Sequence, residues 1–227
     1  MQNDTSASRS SEVPSRVAQA AARRIERQRR SAEDEVERLL EVTLGLIEKS
    51  TPVMPAVSEI VAAAGISNQT FYRTFPSKDD LVLAVLEKGV VRVVELLDRQ
   101  MSGLNDPEEQ ISAWTRGVLR QVSNADAAQT SRTVLGHLNK SGSAAPGASD
   151  ELLRPISDLL TAPLEALGCD PVRDGACVSD LVLGAMRRYL WEASTPSDED
   201  IEWISGFVLG GLGLGRNVTG AGKRNRP

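Results

Sequence analysis

Residues 55–81, PAVSEIVAAAGISNQTFYRTFPSKDDL, constrain the fold of this chain more than any other stretch. Val57, Ile60, Val61 and Ala64 recur at helical spacing, Gly65 interrupts them, and Ser67 opens a second short segment in which Phe71 and Phe75 stand four apart. The pattern predicts a helix, a tight turn and a second helix. Glycine at 65 suits a left-handed helix C-cap that a side chain reaches only at a steric cost, and the Ser67 hydroxyl suits an N-cap. The second helix then leaves at a steep angle to the first.

Between its phenylalanines that second helix carries Asn68, Gln69, Thr70, Tyr72 and Arg73 rather than the Glu and Lys of an ordinary solvated face. Asn and Gln can pair bidentately with adenine, Arg with guanine or phosphate, Thr with a thymine methyl, and a Tyr hydroxyl with phosphate. The set fits a helix that reads double-stranded DNA. The competing reading is a surface helix whose polar face has this composition by chance.

The run AAGISNQTFYRTFPSKDDL resembles the signature of TetR-family transcriptional regulators: an Ala-Gly-apolar-Ser turn, Thr-apolar-Tyr, Phe, then Ser-Lys and an acidic pair before Leu. By motif the resemblance covers roughly residues 31–97. It implies that Ser67, Gln69, Thr70, Tyr72 and Lys78 face DNA, with Tyr72 and Lys78 mainly on phosphates. Two departures stand out. Pro55 and Ala56 replace the usual threonines, removing a hydroxyl cap and a phosphate contact, and Gln69 places a base-reading side chain where glycine is frequent.

The rest of the chain reads as helical. Of its 227 residues 41% are apolar and 4% aromatic, with no strand-like alternation, so the expected fold class is all-α. A net charge of −5 excludes indiscriminate coating of nucleic acid or anionic membrane, so any DNA contact must be local. Four parts are expected. Residues 1–30 form a disordered, basic arm, 31–80 the three-helix DNA-binding domain, 81–215 a helical effector-binding and dimerisation domain, and 216–227 a flexible tail.

Within the arm, RVAQAAARRIERQRR sets six arginines against one glutamate, and Arg23, Arg24, Arg27, Arg29 and Arg30 are candidates for phosphate or minor-groove contact. The alternative is a solvated extension. Ser31 with Asp34 reads as a capping box opening the first helix, and Ser77 with Asp80 as one opening a long fourth helix that links the two halves. Gly89 inside that helix is read as a site of close packing or as a bend used in switching. Pro155 and Pro163 are expected to bend or interrupt a helix spanning 151–167.

The two helices expected over 170–193 and 197–214 are long and apolar, with glycines spaced along the second. They are read as a homodimer surface with Met186, Leu190, Ile204, Phe207, Val208 and Gly211 at the interface. An intramolecular core is the alternative, and the resemblance favours the dimer. It also implies a small-molecule pocket among the middle helices, for which Trp114, His137, Met186, Tyr189 and Trp191 are candidates; the competing reading, favoured for each, is a place in the core or at an interface, with His137 a satisfied core histidine.

Catalytic chemistry finds little footing. His137 is the only histidine, the glycine-rich 210–223 stretch lacks phosphate-loop spacing, and Cys169 and Cys177 fit neither a redox pair nor a zinc site and are expected as buried small hydrophobes. No enzyme activity, metal or cofactor is expected. With no signal peptide or membrane-spanning run, the expected place is the cytoplasm. The expected function is that of a repressor, released from a pseudo-palindromic operator by an unidentified small-molecule effector. The alternative is a helical DNA-docking module without an effector.

Overall fold

The structure is a computed structural model describing residues 15–50, 52–141 and 148–214. It opens on a helix much longer than expected: α1 runs unbroken over Arg16–Ser50. The capping box at Ser31 and Asp34 is not used, because nothing upstream stops the helix. Residues 16–30 are rich in Ala, Arg, Gln and Glu, all good helix formers. Arg29 pairs with Glu26 and Glu33, and Arg30 with Glu26, at 2.8–3.1 Å along the helix surface. The described part of the arm, 15–30, is therefore a solvent-exposed extension of α1 and not a disordered segment, while 1–14 and the tail expected at 216–227 lie outside the described residues.

Helices α2 (Val57–Ala64) and α3 (Asn68–Thr74) follow, then α4 (Lys78–Ser102), α5 (Pro107–Arg120) and α6 (Ala125–Ser141). Beyond them come α7 (Ala148–Asp158), α8 (Thr161–Ala166), α9 (Arg173–Trp191) and α10 (Asp198–Gly211), and no strand occurs among the described residues. Ser77 and Asp80 cap α4 reciprocally, as expected, with Ser77 Oγ accepting from Asp80 N at 3.1 Å and Asp80 Oδ2 from Ser77 N at 2.9 Å. Ser197 and Asp200 repeat the device on α10, and Asp106 with Pro107 opens α5. Pro155 sits inside α7 without breaking it; the interruption comes at 159–160, and Pro163 falls in the first turn of α8, where its missing N–H costs nothing.

Two apolar cores form. Leu39, Ile47, Ile60, Phe71, Leu81 and Val85 belong to the first, and Leu97, Trp114, Leu119, Leu160, Val182 and Ile204 to the second. The expected boundary at residue 80 is crossed by α4, which buries Leu81, Val82 and Val85 in the first core and Val90, Leu97 and Met101 in the second. One other helix bridges the pair. From α6, Val134 and Leu138 are buried in the first core, whereas Ala128 of the same helix is buried in the second.

Candidate nucleic-acid interface and ligand cavity

The turn between α2 and α3 forms as its residues dictate. Gly65 adopts φ 67° and ψ 32°, its N–H reaches Ala62 O, and Ile66 N donates to Val61 O at 3.1 Å, closing α2 in a left-handed cap. At the other end of α2, Ala56 offers no side-chain cap, and the Glu59 carboxylate bends back to accept from Ala56 N at 2.6 Å. Ser67 caps α3 through its Oγ, which accepts from Thr70 N at 3.1 Å and lies 3.0 Å from Thr70 Oγ1. Both hydroxyls are thus committed to the turn, and Thr70 is half-buried.

Buried Phe71 and Phe75 fasten α3 to the core, with ring centroids 6.4 Å apart, and the Tyr72 ring meets Phe71 edge-on at 5.1 Å. Two outward ridges remain, Asn68 with Tyr72 and Gln69 with Arg73, each pair one turn apart and all four exposed. Lys78, the first residue of α4, is half-buried beside them. Desolvation holds its ammonium below the ordinary lysine range, against the opposing pull of Asp79 and Glu59. On the α1 extension Arg23, Arg24 and Arg27 are exposed, while Arg29 and Arg30 are engaged by Glu26.

A cavity of about 300 Å³ lies among α4, α5, α6, α7 and α9. From α4 it is lined by Leu86, Gly89, Val90 and Val93; from α6, by Ala127, Ser131, Leu135 and Asn139, four residues apart in succession. Of the five candidate pocket residues only Met186 and Trp191 line it. Trp114 is fully buried in the second core, where its Nε1–H donates to Ile156 O at 2.8 Å. That carbonyl is available because Leu160 N turns instead to Ser157 O as α7 ends. Tyr189 is buried in the same core with the Arg188 guanidinium 5.2 Å from its ring centre, and His137 faces Asp79 instead. Polar groups that sequence reasoning missed are Gln121, Ser131, Asn139 and Arg187; the four-residue spacing of Ser131, Leu135 and Asn139 was the available signal. Gly89 is not a close-packing site, since a Cβ there would meet nothing within 4 Å.

The candidate dimer residues divide. Leu190, Ile204 and Val208 are buried in the chain's own core, and Met186 lines the cavity, so none of these is on a free surface. Phe207 and Gly211 are exposed. With Phe207 stands Trp203, their rings stacked at 5.5 Å and 68% and 57% exposed for Trp203 and Phe207 respectively. Leu181 and Cys177 of α9 are exposed across a shallow groove from Phe207, which also corrects the expectation that Cys177 is buried. Helix α10 is apolar on two sides: Ile201, Ile204 and Val208 face inward, Trp203 and Phe207 outward.

Residues 56–85 match the model of the bacterial regulatory proteins of the tetR family. No curated protein matches the sequence. The fold is shared with a TetR-family transcriptional regulator from Mesorhizobium loti, at TM-score 0.63 and 12% identity, over 80% of this chain and 96% of that one. RolR in complex with resorcinol aligns at TM-score 0.61 and 20% identity, over 82% and 91% of the two chains. FadR from Bacillus subtilis in complex with stearoyl-CoA aligns at 0.53 and 15%, over 78% and 96%. At such identities the likeness is one of fold. Among the described residues no helix is long and apolar enough to cross a membrane, and no group of His, Cys, Asp and Glu is placed to hold a metal ion.

Proposed function

We propose that this chain, which belongs to the TetR family of bacterial regulatory proteins, is a cytoplasmic homodimeric repressor whose grip on operator DNA is released by a small molecule. The observation that carries the reading is the outward face of α3, where Asn68, Gln69, Tyr72 and Arg73 project from a helix whose opposite side is fixed by Phe71 and Phe75. Asn68 and Gln69 read base edges in the major groove, Arg73 reads guanine or phosphate, and Tyr72 and Lys78 hold phosphates. Ser67 and Thr70 lie at the same surface and set the angle of entry. The α1 extension adds Arg23, Arg24 and Arg27 as further phosphate ligands, with Arg29 and Arg30 available once their pairs with Glu26 open.

Two copies joined through the outer face of α9 and α10 present two such helices to half-sites about 34–36 Å apart. The effector occupies the cavity behind α4, a reading in keeping with ligand complexes among proteins of the same fold. Helix α6 connects the two events. Ser131 and Leu135 line the cavity, while Val134 and Leu138 pack in the core that supports α3. An effector that prefers a shifted α6 favours conformers in which the two α3 helices no longer match the operator spacing.

The test is fluorescence anisotropy of the full chain on DNA flanking its own gene, at about 150 mM salt with excess competitor. Saturable binding to a pseudo-palindrome at two chains per site is the expected result; binding indistinguishable from that to random DNA, at this locus and among genome-wide selected fragments, overturns the proposal.

A further inference from the structure

We infer that each operator half-site presents an A·T pair read by Gln69 and, about two base-pair steps away, a G·C pair read by Arg73; the inference rests on the DNA-binding reading above. Direction is the first argument. Successive residues of a helix turn through about 100°, so Gln69 and Arg73, each two residues from buried Phe71, both lie about 160° around α3 from it. They form the ridge that faces most directly away from the core. Tyr72 stands about 100° from Phe71 on one side and Thr70 about 100° on the other. The outermost ridge of a helix laid in the major groove meets the base edges at its floor, and the flanks meet the walls.

Freedom is the second argument. Thr70 Oγ1 lies 3.0 Å from Ser67 Oγ, and the Tyr72 ring is braced edge-on against Phe71 at 5.1 Å, so local contacts fix both flanks. Gln69 and Arg73 are exposed, and among the described residues neither side chain has a hydrogen-bond or ion-pair partner. The amide and the guanidinium can therefore meet a base edge without first giving up a bond.

Chemistry is the third. The Gln amide carries a donor and an acceptor in one plane, the complement of adenine N7 and its 6-amino group. The Arg guanidinium carries paired donors, the complement of guanine O6 and N7, and each such bidentate pair discriminates against a wrong base by roughly 5- to 150-fold. Residues 67–76 contain no Asp or Glu, so α3 offers no acceptor-only group to cytosine and nothing that repels phosphate. Four residues of helix rise about 6 Å and base pairs stack about 3.4 Å apart, which sets the interval at about two steps when α3 lies along the groove. The two-fold axis of the proposed dimer repeats the pair, inverted, in the second half-site.

The experiment selects bound fragments from a random double-stranded library with the full chain, then measures single base-pair replacements in the selected operator by anisotropy at about 150 mM salt. The selected half-sites should share an A·T and a G·C pair two steps apart. Replacing the A·T pair should weaken binding by the unaltered chain about tenfold, and binding by Gln69→Ala less than about twofold. The G·C pair should stand in the same relation to Arg73→Ala, while Arg73→Lys should keep part of the preference, since an ammonium also reaches guanine. The replacements read with the unaltered chain need no variant to fold. Base preferences unchanged by Gln69→Ala, or an Arg73→Ala chain weakened equally on operator and random DNA, overturn the inference. Selection of a pseudo-palindrome that lacks the A·T and G·C pair removes the base assignment alone, and selection of no sequence removes the regulatory reading with it.

Discussion

His137 Nε2 lies 2.8 Å from Asp79 Oδ1, joining the C-terminal part of α6 to the first turn of α4. Both side chains are mostly buried, and Asp79 adjoins Lys78 at the surface proposed to hold DNA. Ser131 and Leu135 of the same helix touch the cavity. Under the proposed function, this contact would tie the ligand-lined helix to the phosphate-holding end of α4. His137→Ala should lower stability by about 0.5–1.5 kcal/mol, as for one hydrogen bond, and should shrink the ligand-dependent change in operator affinity more than the ligand affinity itself. His137→Gln, which keeps a donor and an acceptor, should retain part of the coupling. Anisotropy with and without ligand measures this, and an unchanged ligand effect in His137→Ala would leave the contact with a stabilising role only.

Base reading and phosphate holding separate at α3 and α4. Gln69→Ala should weaken operator binding by about 1–3 kcal/mol with little effect on random DNA, whereas Tyr72→Phe should weaken both. Lys78→Gln should reduce the salt slope of binding by about one while leaving the free protein as stable or more so, because the lysine is held partly desolvated without DNA. Equal losses on both DNAs for Gln69→Ala would remove it from the base-reading set.

The α1 extension adds charge but no core. Deleting residues 1–30 should flatten the salt dependence by about the number of arginines that reach phosphate, and thermal stability should change little because 16–30 bury no side chain. An unchanged slope assigns the extension to solvent.

Close approach of α4 and α5 depends on Gly117. A Cβ there would fall on Leu97 Cδ2, with Gln100 Oε1 at 3.0 Å, and Leu97 is fully buried with nowhere to retreat. Gly117→Ala should destabilise by about 1–3 kcal/mol. Adding Leu97→Val should recover part of that loss, so the pair departs from additivity in urea unfolding.

What the sequence made legible was local. The Gly65 cap, the Ser67 and Ser77 caps and the burial of Phe71 and Phe75 each follow from residues within one turn of one another, and all appear in the structure. What stayed open in the sequence were choices that turn on partners distant along the chain. Trp114 stood between core and pocket, and only the fold shows that Ile156 O, 42 residues on, takes its N–H. His137 stood between ligand group and satisfied core histidine until α4 brought Asp79 to it across 58 residues. The start of α1 was misplaced because a good capping box is a signal only if the preceding residues disfavour helix, and 16–30 favour it.

The two-sided apolarity of α10 leads to the last prediction. Its inner side, Ile201, Ile204 and Val208, is satisfied by the second core and by packing on α5, where Arg116 and Glu202 add an exposed pair at 3.4 Å. Its outer side leaves Trp203 and Phe207 stacked and exposed, with Phe207 lining a groove edged by Leu181 and Cys177 of α9. Two large aromatics one turn apart, rimmed by the small residues Gly210 and Gly211, let a second α10 approach closely, and a two-fold contact would bury the same four apolar side chains from each chain. Phe207→Asp places a charge at the centre of that patch, where pairing across the two-fold sets like charges against each other. The protein should become monomeric by sedimentation at micromolar concentration while keeping its helical content, because Phe207 contributes to neither core. Operator affinity should fall by orders of magnitude as the two half-sites cease to be bound by one linked pair. A Phe207→Asp protein that remains dimeric would place the interface elsewhere on the chain.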